Sequence, residues 1–243
     1  MKMVAKGHPA LVYPRIPGHE ISGEVEQSTC AGFKEGDRVQ VAPGLRCGKC
    51  SYCLRGADNQ CYQREILGFT LDGGFAEYLA LPLGGRVKAG VTLLPDQLSF
   101  ALATLAEPLA CSLNALSKMP VFEGETVLIL GAGPLGLLNA LAAESRGAGK
   151  VIFCDPDTVR RQKAREIVDG IAVDPGEEDL AQLIKDESGG QGADILILAC
   201  SQSGLEENLL QMMSRGGRIS VFSGLHGEFA RPKFDANLIH YKE

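Results

Sequence analysis

The stretch Glu125-Thr126-Val127-Leu128-Ile129-Leu130-Gly131-Ala132-Gly133-Pro134-Leu135-Gly136 decides how the rest of the chain is read. Its apolar run at 127–130 is strand-sized and leads directly into Gly-x-Gly-x-x-Gly, a dinucleotide fingerprint. Glycine at 131 permits a tight turn, glycine at 133 lets backbone approach a pyrophosphate, and glycine at 136 lets the following helix, 135–146, pack closely on the strand. The positive end of that helix then meets the phosphate charge. Alone the pattern is weak, because glycine is the default residue of any tight turn. Here a second apolar strand at 151–154 ends in Asp155, 19 residues beyond Gly136, where a carboxylate accepts hydrogen bonds from an adenine ribose. The same charge repels a 2′-phosphate, so NAD is expected over NADP, and Arg160 and Arg161 lie close enough to soften that preference. The rival reading is an ordinary turn followed by a surface acid.

Downstream the alternation continues: a helix at 159–168, a strand at 171–173, a helix with Leu180, Leu183 and Ile184 on one face, and a strand at 195–199. A helix at 205–213 and a strand at 218–222 complete a set of five strands. Such alternation predicts an α/β domain built on a doubly wound parallel sheet, with the ligand at the carboxyl edge of its strands. Ser201, Ser223 and Gly224 fall at that edge.

Upstream the character changes. The first sixty residues show short apolar pieces separated by turns and no helical period, which predicts a β-rich region. Strand character returns at 68–81, with Asp72-Gly73-Gly74 as a turn, and at 91–94; a helical stretch at 98–116 then closes the region. The expected domains are 1–119 and 120–243. Within the first lies Cys47-Gly48-Lys49-Cys50-Ser51-Tyr52-Cys53, followed by Cys61. Two-residue gaps let successive thiolates turn onto one ion, and a fourth closes a tetrahedron, the arrangement of a structural zinc. An iron–sulfur cluster and free thiols are the rivals, but the spacing lacks the ferredoxin pattern. Two further features carry chemistry. His19-Glu20 sets an imidazole beside a carboxylate. Glu107-Pro108 places an acid and a helix interruption in apolar surroundings, where a buried acid needs a cation, a proton or a partner. Cys111 and Cys154 read as buried packing residues.

Composition narrows the partners. The 243 residues are 45% hydrophobic with a formal net charge of -6 and no Trp, and the mean hydropathy is +0.03. Dispersed Lys and Arg without aromatic companions argue against a nucleic-acid surface. No segment reads as long enough to span a membrane, and the N-terminal residues Met1-Lys2-Met3-Val4 do not open a signal-peptide core. A cytoplasmic location and a small-molecule partner are therefore expected, with the eight cysteines serving metal rather than disulfides.

Gly18-His19-Glu20-x-x-Gly23, Gly36-Asp37-Arg38-Val39, the four-cysteine lobe, Glu107-Pro108 and the Gly-x-Gly-x-x-Gly unit occur in one order. Together they resemble the zinc-dependent medium-chain dehydrogenases of the alcohol dehydrogenase superfamily, across essentially the whole chain. Ala106-Glu107-Pro108-Leu109-Ala110 looks like the polyol (sorbitol-type) and threonine dehydrogenase branch. The resemblance implies a GroES-like catalytic domain followed by a Rossmann domain. It implies a catalytic zinc with His19 as a ligand, Glu20 as a ligand or an exchange partner for zinc-bound water, and Glu107 as a further ligand or water-mediated neighbour, with Cys47, Cys50, Cys53 and Cys61 on structural zinc. It implies NAD held by Gly131, Gly133, Pro134, Leu135, Gly136, Asp155 and Arg160. The implied activity is hydride transfer from the CH–OH group of an alcohol or polyol to NAD, and the implied assembly is a dimer or tetramer. Two departures are expected to matter: the family's early cysteine ligand has no counterpart within 1–17, and the family's last Rossmann strand would follow the segment 237–243. Both domains thus read as truncated, and the alternative expectation is a catalytically inactive fragment that binds zinc and nucleotide.

Overall fold

The computed structural model describes residues 11, 13–81, 90–201 and 206–243. The chain divides into two compact units, Met1–Glu107 and Pro108–Glu243.

The first unit is β-rich. Strands β1 (Ile21–Glu24), β2 (Arg38–Val41) and, later in the chain, β5 (Val91–Leu93) form an antiparallel sheet in the order β1-β2-β5. The register sets Ile21 opposite Val41 and Val39 opposite Leu93. A two-stranded ladder joins β3 (Gly44–Leu45) to β4 (Glu65–Ile66). Between them lie the single-turn helix α1 (Ser51–Leu54) and a 3-10 turn at Asp58–Gln60. Among the described residues the apolar cluster here has Val39, Val41 and Leu67 buried, with Ile21, Val25, Phe33 and others packed around them. Arg38 adds polar cement: its guanidinium donates to the carbonyls of Pro95, Asp96 and Leu98 and lies 4.6 Å over the Phe100 ring.

The strand expected over 68–81 is not formed. Apart from an isolated bridge between Leu67 and Leu71, this segment bends. Its N–H groups at 73–75 donate to the carbonyls of Ile16, Gly18 and Pro17 instead of a neighbouring strand. The helical stretch expected over 98–116 is two helices, α2 (Phe100–Ala103) and α3 (Ala106–Lys118). Pro108 explains the break, since a proline ring in a helix clashes with the carbonyl four residues earlier, here Thr104. In α3 the proline occupies the first turn, where its missing N–H would have had no intrahelical partner. Taken together, Phe100–Lys118 is long and apolar enough by length and composition alone to cross a membrane. This corrects the expectation that no segment is, although the run is broken at Thr104 and Leu105 and carries Glu107. Cys111, expected to be buried, is exposed; the buried stripe of α3 runs through Pro108, Ser112 and Leu116 at every fourth residue.

The second unit holds a five-stranded sheet in the order β10-β9-β6-β7-β8, parallel throughout. These strands are β6 (Thr126–Leu130), β7 (Lys150–Cys154), β8 (Ile171–Val173), β9 (Ala193–Leu198) and β10 (Met213–Ser220). Helices α4 (Pro134–Glu144), α5 (Thr158–Ile167), α6 (Leu180–Glu187), α7 (Glu207–Gln211) and α8 (Ala236–Lys242) intervene or follow. Residue 205, where the sequence starts α7, lies outside the described residues. Alternation along each strand divides the core. Val127, Ile129, Val151, Phe153, Ile195 and Ile197 face one way, toward alanines of α4 and α5. Leu128, Leu130, Ile152, Leu196 and Leu198 face the other, toward Ile184 of α6 and Leu209 of α7. Burial on both faces is why these strands read as unbroken apolar runs. Strand β10 starts five residues earlier than expected, with a register shift between Met213 and Arg218 that absorbs Arg215-Gly216-Gly217.

Candidate metal and dinucleotide sites

The four cysteines converge in the first unit. Their sulfurs all lie within 4.8 Å of one another, with Cys50 Sγ 3.5 Å and Cys47 Sγ 3.9 Å from Cys53 Sγ. A tetrahedral zinc with 2.3 Å bonds to sulfur sets its ligands about 3.8 Å apart, so the set fits that ion. The backbone is prepared for thiolates. The N–H of Cys47 donates to Cys61 Sγ at 3.3 Å. The Cys50 thiol is drawn down to about 6, chiefly by the backbone N–H of Cys53, and Cys47 is lowered by that of Lys49. Loss of hydration pushes Cys53 up to about 11. Arg46 and Asp58 form an ion pair across the same lobe, and Tyr52 stacks edge-on against Tyr62 at 4.9 Å. A metal bound to these four sulfurs would add folding free energy to a lobe with a small apolar core.

His19, Glu20 and Glu107 form a second convergent set, with one ligand atom of each within 4.8 Å of the others. Nitrogen and oxygen ligands on tetrahedral zinc sit about 3.3 Å apart, so the three close on an ion with small side-chain movements. His19 and Glu107 are half-buried and Glu20 is exposed. Glu107 stands in the first turn of α3, where the helix dipole favours a negative charge. Sequence reasoning missed what frames His19. Its ring lies 5.3 Å from that of Phe69, tilted by 52°. Asp72 Oδ1 accepts from the Ile16 N–H and from Arg15 Nη1, each at 3.1 Å, and the Ile16 bond holds the Asp72 carboxyl below its ordinary value. Asp72-Gly73-Gly74 was legible only as a turn.

In the second unit the glycine loop follows its sequence closely. Gly131 takes φ +104°, and a Cβ at Gly136 would stand 2.0 Å from the Gly131 carbonyl oxygen. Gly133, by contrast, would meet nothing within 4 Å. It is the N-cap of α4, with Pro134 next and no side-chain cap. The open backbone cradle and the uncapped N–H groups of an eleven-residue helix suit a pyrophosphate. Pro134 is exposed and Leu135 half-buried.

Asp155 lies at the end of β7 and is 3% exposed. Its Oδ2 accepts from the Ala132 N–H at 2.8 Å and its Oδ1 from the Asp157 N–H at 2.9 Å. The carboxylate thus ties the glycine loop to the neighbouring strand, a role the spacing alone did not reveal; a carboxylate has about four acceptor positions, which leaves room for further donors. The two arginines separate. Arg161 is buried, donating to the Asp155 carbonyl at 2.8 Å and pairing with Asp174 at 2.7 Å. Arg160 has a side chain 59% exposed, 3.7 Å from Asp155 Oδ2 and 3.9 Å from Asp157 Oδ2, and is the solvent-facing one of the two. Ser223 sits at the carboxyl edge, its N–H donating to the Leu198 carbonyl.

The family model for the alcohol dehydrogenase GroES-like domain matches residues 1–91, and that for zinc-binding dehydrogenases matches residues 134–243. An L-threonine 3-dehydrogenase of Pyrococcus horikoshii is 35% identical over 94% of this chain and 64% of its own length. A zinc-type alcohol dehydrogenase-like protein of Haemophilus influenzae is 35% identical over 97% of this chain and 67% of its own. Among solved structures, zinc dependent alcohol dehydrogenase 2 from Streptococcus pneumonia superposes with a TM-score of 0.82 at 27% identity, covering 99% of this chain and 68% of that one. The chain belongs to the zinc-dependent medium-chain dehydrogenase family. It spans about two thirds of the length of the relatives it matches.

Proposed function

We propose that this chain carries the metal and dinucleotide sites of an oxidoreductase that transfers hydride from the CH–OH group of an alcohol or polyol to NAD. The observation that carries the reading is the convergence of His19, Glu20 and Glu107, from positions 88 residues apart, in a chain that also holds the glycine loop. Zinc, when bound, supplies a Lewis acid for the substrate hydroxyl, and NAD supplies the hydride acceptor. His19 as a ligand must be neutral, offering a ring nitrogen, while Glu20 and Glu107 offer charged oxygens that offset the charge of the ion. Gly133 and the first turn of α4 would hold the pyrophosphate, with Pro134 and Leu135 shaping that turn. Asp155 would accept from the ribose while keeping its bond to Ala132, and Arg160 would lie over the adenosine end. Cys47, Cys50, Cys53 and Cys61 would hold a structural zinc with no open position. The reading extends to a cytoplasmic, homo-oligomeric enzyme.

The test is zinc per chain on chelator-washed protein, beside a Cys50→Ser variant, together with NADH formation from threonine and from polyols. Two zincs falling to one, with NADH produced, is the expected result. One zinc falling to none would mean that only the cysteine lobe is loaded and would overturn the catalytic reading for this chain.

A further inference from the structure

The His19 imidazole stands on a segment, 15–20, that belongs to no helix or strand, yet a metal ligand displaced by an ångström binds poorly. What holds the segment is a crossing with residues 72–75. The N–H groups of Gly73, Gly74 and Phe75 donate to the carbonyls of Ile16, Gly18 and Pro17 at 2.8, 2.9 and 3.0 Å. Asp72 Oδ1 grips the same strip from its other end, accepting from the Ile16 N–H and the Arg15 guanidinium. The approach is close enough to exclude side chains: a Cβ at Gly73 would stand 2.1 Å from the Gly18 carbonyl oxygen, and one at Gly68 2.7 Å from it. Between those glycines Phe69 lies against the His19 ring, where it limits rotation of the imidazole.

We infer that residues 68–75 form a clasp that positions His19 as a ligand, with Asp72 fixing the backbone that leads to it and Phe69 fixing the ring. The inference rests on the reading of His19, Glu20 and Glu107 as a metal site. Neither residue is itself a ligand. Asp72 acts through the Ile16 amide, three residues before the imidazole, and Phe69 through van der Waals contact. Groups that orient metal ligands in this way typically change affinity by about 10–100-fold when removed.

The test titrates Co(II) into the full 243-residue chain after the cysteine lobe has been loaded with zinc, reading the visible absorption of cobalt at the second site. Asp72→Ala and Phe69→Leu should each weaken cobalt binding about tenfold. Asp72→Asn, which keeps an acceptor for the Ile16 N–H, should recover most of the loss. Zinc in the cysteine lobe and the far-ultraviolet spectrum should stay as in the parent. Phe69→Leu carries the test by itself if Asp72→Ala fails to fold. A role in stability alone would lower the melting temperature and leave cobalt affinity and its spectrum unchanged, and that result overturns the clasp while sparing the metal site. A parent chain that takes no cobalt at this site overturns both.

Discussion

Gly133 and Gly136 lie one helical turn apart in the same fingerprint, and the structure predicts opposite consequences for the same substitution. At Gly136 an added Cβ would sit 2.0 Å from the Gly131 oxygen and 3.1 Å from its carbonyl carbon. Both are backbone atoms that no rotamer change can move. Helix α4 must then part from β6 by about 1 Å, an overpacking that costs about 1–3 kcal/mol. At about 2–4 °C per kcal/mol for a domain of this size, Gly136→Ala should melt roughly 2–12 °C lower. At Gly133 the Cβ meets open space, and φ -76° is accessible to alanine. Reduced freedom of the unfolded chain contributes about 0.4–1 kcal/mol, and alanine's poor N-cap preference offsets about as much, so stability should hold within about 0.5 kcal/mol. The new methyl nevertheless occupies the cradle assigned to pyrophosphate. Gly133→Ala should therefore fold and melt like the parent and bind NADH at least tenfold more weakly, as read by thermal circular dichroism and NADH fluorescence. A Gly133→Ala protein that binds NADH as the parent does would refute the assignment of the cradle. A Gly136→Ala protein with an unchanged melting temperature would refute the steric reasoning.

The arginine pair makes a second contrast. Arg161→Ala strands Asp174, its half-buried partner, and should destabilise the second unit by about 2 kcal/mol in denaturant unfolding; Arg160→Ala should leave stability within about 0.5 kcal/mol and raise the KM for NADP more than that for NAD. Stripping zinc with a chelator should lower the melting temperature of the parent but not of Cys50→Ser, whose lobe cannot close; equal shifts in both proteins would remove the structural role of that metal. The Asp72 carboxyl is held below its ordinary value by the Ile16 amide, so its contribution is present in full above that ordinary value and is lost as pH falls through the lowered one. Carbon-detected NMR titration should show the midpoint rising when Arg15 and Ile16 are released by unfolding.

Much of this could be read from residues. Apolar runs at 127–130, 151–154 and 171–173 became strands nearly residue for residue, because strands buried on both faces leave no polar interruption to blur their limits. The Gly-x-Gly-x-x-Gly and four-cysteine patterns were readable as units because each of their residues lies within a few positions of the next. Legibility failed where the deciding contact is distant in sequence. The donors of Gly73 and Gly74 go to residues 16–18, so alternation suggested a strand where a crossing exists. Arg160 and Arg161 are indistinguishable by spacing, and only the packing of α5 against β8 turns one inward onto Asp174. The helix break at Thr104 was placed at Glu107-Pro108 because a proline acts on the carbonyl one turn before it.

The two metal sets differ in how far apart the chain must bring its ligands. Cys47 and Cys61 are 14 residues apart, whereas His19 and Glu107 are 88 apart. Loop closure grows as (3/2)RT ln n, so the longer loop costs about 1.6 kcal/mol more before any contact forms. The cysteine lobe is also nearly complete in itself, needing only a turn of helix and a short ladder. If both sets hold zinc as proposed, the lobe would be the first able to close on its ion during synthesis, and the His19 set would close only after the surrounding sheet has formed. Zinc limitation would then yield a population that is folded, half-loaded and silent, rather than one that is unfolded.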